Sequence, residues 1–257
     1  MKNEPTPTNQ SPAAPPPRGR IDIHSHMLPG IDDGCADVEE SLTSVRALIE
    51  HSYSATICTP HCWPDLYPHI TPQHIAAWVD DLQAQIDQAG LGYQLYPGGE
   101  LRIHPGAVEW MARVGVPTLV GSMFVLCDFW EAKWHKWIDS TFDWLLAEGY
   151  TPILAHPERS PTKKDFDEKV DAWAARGVLL QGNFRCFTGE EGFHADTTVR
   201  RYMDQDRYTF LALDMHRPEA LPGRLDGVDL AIQGYGKQRI QAMTDARVRE
   251  LIFNSAK

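Results

Sequence analysis

From Ile21 onward the chain alternates between short β-rich runs and longer stretches with helical spacing, and no other feature restricts its fold as much. The β-rich runs are Ile21–His24, Ala55–Cys58, Tyr93–Pro97, Met123–Cys127, Pro152–Ala155, Val178–Gln181 and Thr209–Leu213. Between the first two, Val38, Leu42, Val45, Leu48 and Ile49 fall at steps of three and four, one apolar face of a helix. Ile75, Trp78, Val79, Leu82 and Ile86 repeat the pattern behind Thr71-Pro72, a start signal with proline in the first turn. Further helices are predicted over Trp134–Ala147, Lys164–Ala175, Asp196–Asp204 and Lys237–Phe253. Seven strand–helix units in 257 residues predict an α/β fold, a parallel barrel in a single domain, because such barrels run to roughly 200–250 residues. A doubly wound open sheet shares the alternation and stays open as the alternative.

The rest of the composition removes function classes. A formal net charge of −11 argues against an electrostatic grip on nucleic acid or on an anionic membrane, and obliges any phosphate substrate to find locally placed cations. Cys35, Cys58, Cys62, Cys127 and Cys186 are odd in number and irregularly spaced, so a reducing, cytoplasmic setting is expected rather than a disulfide framework. No apolar run is long enough to span a bilayer. Residues 1–20, MKNEPTPTNQSPAAPPPRGR, lack the apolar centre of a signal peptide and read as a disordered Pro-rich leader ahead of a domain over 21–257.

Parallel strands bury both faces, so an ionisable residue at a strand's C-terminal end is either paired or at work, and in barrel enzymes those ends build the active site. After the first strand come His24-Ser25-His26 and Asp32-Asp33; after the second, Thr59-Pro60-His61. The third ends in Gly98-Gly99-Glu100, the fourth in Asp128, the fifth in His156-Pro157-Glu158-Arg159, and the seventh in Asp214-Met215-His216. Taken singly, each has a bland explanation: a satisfied core histidine, an Asp-Asp-Gly turn, a salt-bridge partner. Together, six of seven predicted strands deliver a His, Asp or Glu to one rim, and independent accidents do not select one end so consistently. The expectation is a metal-dependent hydrolase. His51, His69, His74, His104, His135 and His194 fall off the strand ends and read as solvated or locally bonded, with His69 and His104 kept as candidate supporting or substrate contacts.

Two metal-free mechanisms fail on the sequence. A cysteine phosphatase needs arginine six residues after its nucleophile, and those positions hold Ser41, Pro64, Pro68, Lys133 and Gly192. A serine hydrolase elbow, GxSxG, is missing as well.

The ordered set IDIHSHMLPGIDDG, TPH, GGELR, HPER and LDMH resembles the PHP (polymerase and histidinol phosphatase) superfamily. The resemblance is strongest to the PHP-type protein-tyrosine phosphatases encoded with bacterial capsule and exopolysaccharide genes, and it spans nearly all of Ile21–Asn254. It implies a distorted (β/α)7 TIM-like barrel and three divalent ions, often Mn2+, although Fe, Zn or Co suit mixed imidazole and carboxylate ligands equally. It further implies that His24, His26 and Asp214 hold one ion, that Glu100 bridges to a second also bound by His156, and that Asp33, His61 and His216 hold the third. Asp128 stands where relatives carry glutamate, one methylene longer, and Cys62 stands where many carry a second basic residue, leaving a thiol near the ions. Arg159 would grip the phosphate with its planar fork; Arg224 would be the second phosphate arginine, with Arg217 as its rival.

The implied reaction is hydrolysis of phosphotyrosine on a protein, notably the autokinase that controls polysaccharide export. Cations lower the pKa of a bound water from about 15.7 towards 7, and the resulting hydroxide attacks phosphorus. A phenol with pKa near 10 leaves with little protonation, and His216 or a water is the candidate acid otherwise. Two other classes are weighed against this reading. One is a PHP phosphoesterase acting on a small molecule such as histidinol phosphate or a nucleotide, and the other a metal-bound regulatory module without turnover.

Overall fold

A computed structural model describes residues 16–131, 134–160 and 165–255 of the chain. Most of the expected leader, residues 1–15, and the expected helix start at Lys164 lie outside these described residues.

All strands are parallel. The first, β1 (Arg20–Asp22), pairs with β2 (Tyr53–Cys58), which runs on after Thr59-Pro60 as β3 (His61–Cys62). In the same way β4 (Gln94–Pro97) continues past Gly98-Gly99 as β5 (Glu100–Arg102). Then follow β6 (Phe124–Asp128), β7 (Thr151–Ala155), β8 (Leu179–Asn183) and β9 (Phe210–Ala212). The two breaks divide the ladder into a three-stranded sheet, β1-β2-β4, and a six-stranded sheet, β3-β5-β6-β7-β8-β9. Counting each interrupted pair once gives the seven predicted strands. Glycine makes the second break possible: a Cβ on Gly98 would lie 2.8 Å from Ile57, and one on Gly99 2.7 Å from Cys62 Sγ.

No ladder pairs β9 with β1 among the described residues. The two edges meet instead through one bridge, Ser25 to Met215, and through Leu213 N–H, which donates to Asp22 Oδ1 at 3.0 Å. The fold is a mixed α/β domain with parallel sheets, coarser than the closed barrel expected.

The helices cover the outer face. Helix α1 (Val38–Glu50) opens on Asp37, whose carboxylate accepts from Glu40 N–H, and α2 (Pro72–Gln88) opens on Thr71 with Pro72 in its first turn, as the sequence predicts. Helix α3 (Ala107–Val114) was not anticipated: Gly106 and Gly115 bracket only eight residues, although Ala107, Trp110, Met111 and Val114 fall at helical spacing. Next come α4 (Lys136–Ala147), α5 (Phe166–Ala174) and α6 (Phe193–Asp204), within a few residues of expectation. Helix α7 (Leu221–Tyr235) was also missed, because Pro222-Gly223 reads as a turn. Proline is tolerated there in the first turn, and Leu221, Leu225, Val228 and Ala231 form the buried stripe that carries the helix. The last helix begins as α8 (Lys237–Gln241) and widens into i→i+5 turns through Ile252.

Two-sided burial follows from strand periodicity. Ile21 and Ile23, Ala55 and Ile57, Leu126, Ile153 and Ala155, and Phe210 and Ala212 pack with Val248 and Ile252 in an inner cluster. Alternate residues such as Leu95, Val125, Cys127, Leu154, Leu180 and Leu211 pack outward with the helices. At roughly 1.5–3 kcal/mol for each large aliphatic side chain removed from water, this double layer fixes the strand register. Register in turn decides which polar residues meet at the C-terminal ends.

Candidate metal centre

His24 and His26 leave β1 on one face, two residues apart. The turn that follows is closed by Cys35 N–H donating to His26 O at 3.1 Å, and it packs so tightly that a Cβ on Gly34 would lie 1.7 Å from that carbonyl. His61 and Glu100 are direct partners in the β3–β5 register. His156 and Asp214 follow β7 and β9 with φ of +34° and +52°, left-handed backbone that a non-glycine residue adopts only at a cost. That strain turns both side chains into the rim.

The resulting distances are those of a shared coordination sphere. Two donors each about 2.1 Å from one cation stand roughly 3.0 Å apart in an octahedron and roughly 3.4 Å apart in a tetrahedron. His24 Nε2 lies 3.3 Å from His26 Nε2, 3.3 Å from Asp214 Oδ1 and 3.3 Å from Glu100 Oε1. His156 Nε2 lies 3.2 Å from Glu100 Oε1. Asp33 Oδ1 lies 3.4 Å from His61 Nε2 and 3.5 Å from His216 Nε2. Three donor groups result: His24, His26 and Asp214; His24, Glu100 and His156; and His26, Asp33, His61 and His216. Glu100 Oε2 is buried without a hydrogen bond, though His61 Nδ1 stands 2.9 Å away, the orphaned atom expected where a cation belongs. On these grounds the residues present fit divalent ions.

Supporting contacts fix which nitrogen faces inward. His24 Nδ1 meets Gln181 Oε1 at 2.9 Å and His26 Nδ1 meets Asp32 Oδ2 at 2.7 Å, so both Nε2 atoms are left for the centre. Asp32 also accepts from His61 N–H at 3.0 Å and Gly34 N–H at 3.0 Å. Gln181 donates to Asn183, which donates to Asp214 Oδ2 at 2.9 Å. Gln181 and Asn183 are the functional residues that reading the sequence missed, and Asp32, named there beside Asp33, was given no role.

Electrostatics in the metal-free cluster are self-compensating. Burial, the largest influence, would lower His26, but the Asp32 and Asp214 carboxylates together carry its pKa up to about 9. His61 is likewise opposed by burial and raised by Glu100 and Asp33, to about 12. Burial would raise Glu100 and Asp214, yet the His24 charge, with other neighbours, holds both well below the usual carboxylate range. Burial, then the His26 charge, depress His216 to about 4, which leaves a neutral imidazole suited to ligation.

Of the nine expected ligands, eight converge and one does not. Asp128 lines the same cleft but joins none of the donor groups; its Oδ2 accepts from Arg102 Nη1 at 3.1 Å, because Arg102 and Asp128 are register partners on β5 and β6. Arg159 lines the cleft, with Nη1 2.6 Å from Asp214 Oδ2 and Nε making no hydrogen bond. Neither rival for the second phosphate arginine is in the lining. Arg224 is buried and donates Nε–H to Asp214 O at 2.8 Å, and Arg217 is half exposed beside Glu40. His69 and His104 are also outside the lining. The Cys62 thiol is fully buried among apolar residues and pushed up by burial, so it offers the ions no thiolate. All five cysteines are free. The cleft itself is small, about 190 Å3.

The sequence profile described as "Capsular polysaccharide synthesis, CpsB/CapC" matches residues 20–252. Tyrosine-protein phosphatase YwqE of Bacillus subtilis is 26% identical over 196 residues, 76% of this chain and 77% of that one. Tyrosine-protein phosphatase CpsB of Streptococcus agalactiae serotype III is 24% identical over 241 residues, 91% of this chain and 98% of that one. Among solved structures, that of YwqE from Bacillus subtilis and CpsB from Streptococcus pneumoniae, described as unique metal-dependent tyrosine phosphatases, superposes with a TM-score of 0.79 at 22% identity, covering 92% of this chain and 95% of that one. No helix of the described residues is long and apolar enough to cross a membrane.

Proposed function

The chain belongs to the CpsB/CapC family of capsular polysaccharide synthesis, and from that premise we propose that it is a metal-dependent protein-tyrosine phosphatase. The observation that carries the reading is the convergence of His24, His26, Asp33, His61, Glu100, His156, Asp214 and His216 around one cleft, with the Arg159 guanidinium at its wall. The relatives named tyrosine-protein phosphatases support the substrate class.

Divalent ions held by these groups would supply a water of lowered pKa and would neutralise charge gathering on the phosphoryl oxygens. His24, His26 and Asp214 would hold one ion, Glu100 and His156 a second, and Asp33, His61 and His216 a third, each imidazole offering a single nitrogen. Mn2+ is our choice of ion. Arg159 orients the phosphoryl group: its fork presents donors at the cleft wall, held by Asp214 Oδ2 at Nη1 and by Glu191 Oε2, 3.5 Å from Nε. Arg224 acts from behind, holding the carbonyl of Asp214 and so the strained turn that aims its carboxylate. A phenolate leaving group, with pKa near 10, needs little protonation, which agrees with a neutral His216.

A cleft of about 190 Å3 is below the roughly 300–1,000 Å3 of pockets that enclose a whole small-molecule ligand. It suits the phosphorylated tip of a side chain whose remainder stays outside. The partner in this reading is a tyrosine-phosphorylated protein, a kinase of polysaccharide export, met in the cytoplasm, and the seven strand units form a distorted (β/α)7 barrel.

Turnover of a phosphotyrosine peptide, histidinol phosphate and p-nitrophenyl phosphate, with Mn2+ and with chelator, tests the reading. Phosphotyrosine should be preferred, chelator should abolish turnover, and His156→Ala should do the same while the protein stays folded. Preference for histidinol phosphate would transfer the enzyme to the small-molecule phosphoesterases, and activity surviving complete metal removal would overturn the mechanism.

A further inference from the structure

Nine residues line the cleft; eight are ionisable and the ninth is Trp130. It follows β6 directly, two residues after Asp128, and its neighbour Phe129 is buried against Trp134 and Trp173. Phe129 therefore anchors the backbone while Trp130 is held outward, 48% exposed. An exposed indole is unremarkable alone on a surface. Here it is positioned from below: the Arg159 guanidinium carbon lies 5.6 Å from the Trp130 ring centroid, and the same guanidinium places Nη1 2.6 Å from Asp214 Oδ2. One planar group thus spans from the donor cluster to the indole.

That geometry has a chemical consequence for an aryl phosphate. The cleft admits the phosphoryl group, and its other walls are carboxylates, imidazoles and a guanidinium, groups engaged with one another and with the phosphoryl end. A phosphate held at Arg159 leaves its ester group at the mouth, where the one apolar face of the lining is the indole. Offset or edge-to-face packing of two rings adds attraction beyond simple area burial, and a serine or threonine phosphate has no ring with which to collect it. Resting on the phosphotyrosine reading above, we propose that Trp130 is the aryl platform of this site, the residue that selects tyrosine phosphate at the step of binding.

The test compares wild type, Trp130→Ala and Trp130→Phe, each loaded with Mn2+. Steady-state constants are measured for a phosphotyrosine peptide, together with the inhibition constant of inorganic phosphate and the metal content of each protein. For Trp130→Ala the peptide KM should rise about tenfold with kcat within twofold, while phosphate inhibition and metal content hold. Trp130→Phe should recover most of the loss. A peptide KM unchanged in Trp130→Ala, or a KM and phosphate constant that move together, overturns the platform and leaves the phosphatase standing. Wild-type protein that ignores the phosphotyrosine peptide yet hydrolyses another phosphate ester overturns the functional reading itself.

Discussion

Replacing Asp32 by asparagine changes one atom, and the hydrogen-bond inventory fixes what must happen. Oδ2 accepts from His26 Nδ1 at 2.7 Å and from His61 N–H at 3.0 Å, while Oδ1 accepts from Gly34 N–H at 3.0 Å. The side chain is buried, so water cannot substitute for a lost partner. An amide supplies one acceptor and one donor. If its oxygen faces His26 and His61, its NH2 opposes Gly34 N–H, donor against donor, and a buried backbone group goes unpaired at about 1–3 kcal/mol. If its NH2 faces His26, Nδ1 must accept, the proton moves to Nε2 and the ligand nitrogen is lost, while the same NH2 opposes His61 N–H and leaves that backbone donor unpaired. Both arrangements also remove the negative charge that makes His26 a better ligand.

Loss of such a supporting carboxylate typically weakens metal affinity by about 10–100-fold, equivalent to roughly 1.4–2.8 kcal/mol. Competition of Asp32→Asn against a chelator of known affinity should show a loss in that range. Thermal melts of the metal-free protein should show the lost backbone partner in either arrangement, at roughly 2–4 °C for each kcal/mol in a domain of this size. Affinity within threefold of wild type, with an unchanged melt, would refute the reasoning: Asp32 would then be neither setting the tautomer of His26 nor holding its turn.

Arg102→Gln should release Asp128 toward the Glu100–His156 pair and raise metal bound per chain under limiting Mn2+, measured by elemental analysis; unchanged content would mean the ion pair does not compete with coordination. Gly34→Ala should cost at least about 1–3 kcal/mol and most of the metal affinity, since the new methyl must displace the His26 carbonyl; a melt and metal titration matching wild type would contradict the packing of this turn. Loading with metal at about 1,000 times Kd should stabilise the fold by about 4.1 kcal/mol for each independent ion, and a melting curve insensitive to chelator would exclude folded-state binding.

What the sequence discloses and what it conceals divide along a physical line. The residues that gather at the cleft were legible because each is local: a strand ends and a histidine or carboxylate follows. The identity of Asp128's partner was not, since it depends on β5 and β6 pairing Arg102 with Asp128, a register fixed by packing far from either residue. The resemblance implied Arg224, or its rival Arg217, as the second phosphate arginine, whereas α7 winds Arg224 back beneath Asp214, outside the cleft lining. Closure does not follow from counting strands, which says nothing of whether the two edges form a ladder; among the described residues they meet at a single bridge and one side-chain bond.

Gln181 and Asn183 are the instructive omission. The predicted strand stopped at Gln181 and was credited with no functional residue, whereas β8 runs to Asn183 and brings both amides inward. Uncharged amides are not metal-ligand types of the kind sought, so they were passed over. Yet in a parallel strand buried on both faces, two amides at alternate positions must each find partners or destabilise the core by a few kcal/mol. Gln181 finds His24 and Asn183 finds Asp214, two donors that approach each other to 3.3 Å. The sixth strand therefore completes the rim in a different chemical form: it orients donors where its neighbours supply them. Alternating Asn and Gln near the end of an interior parallel strand is thus as informative a sign of a metal centre as the histidines themselves, provided the other strand ends carry the ligands.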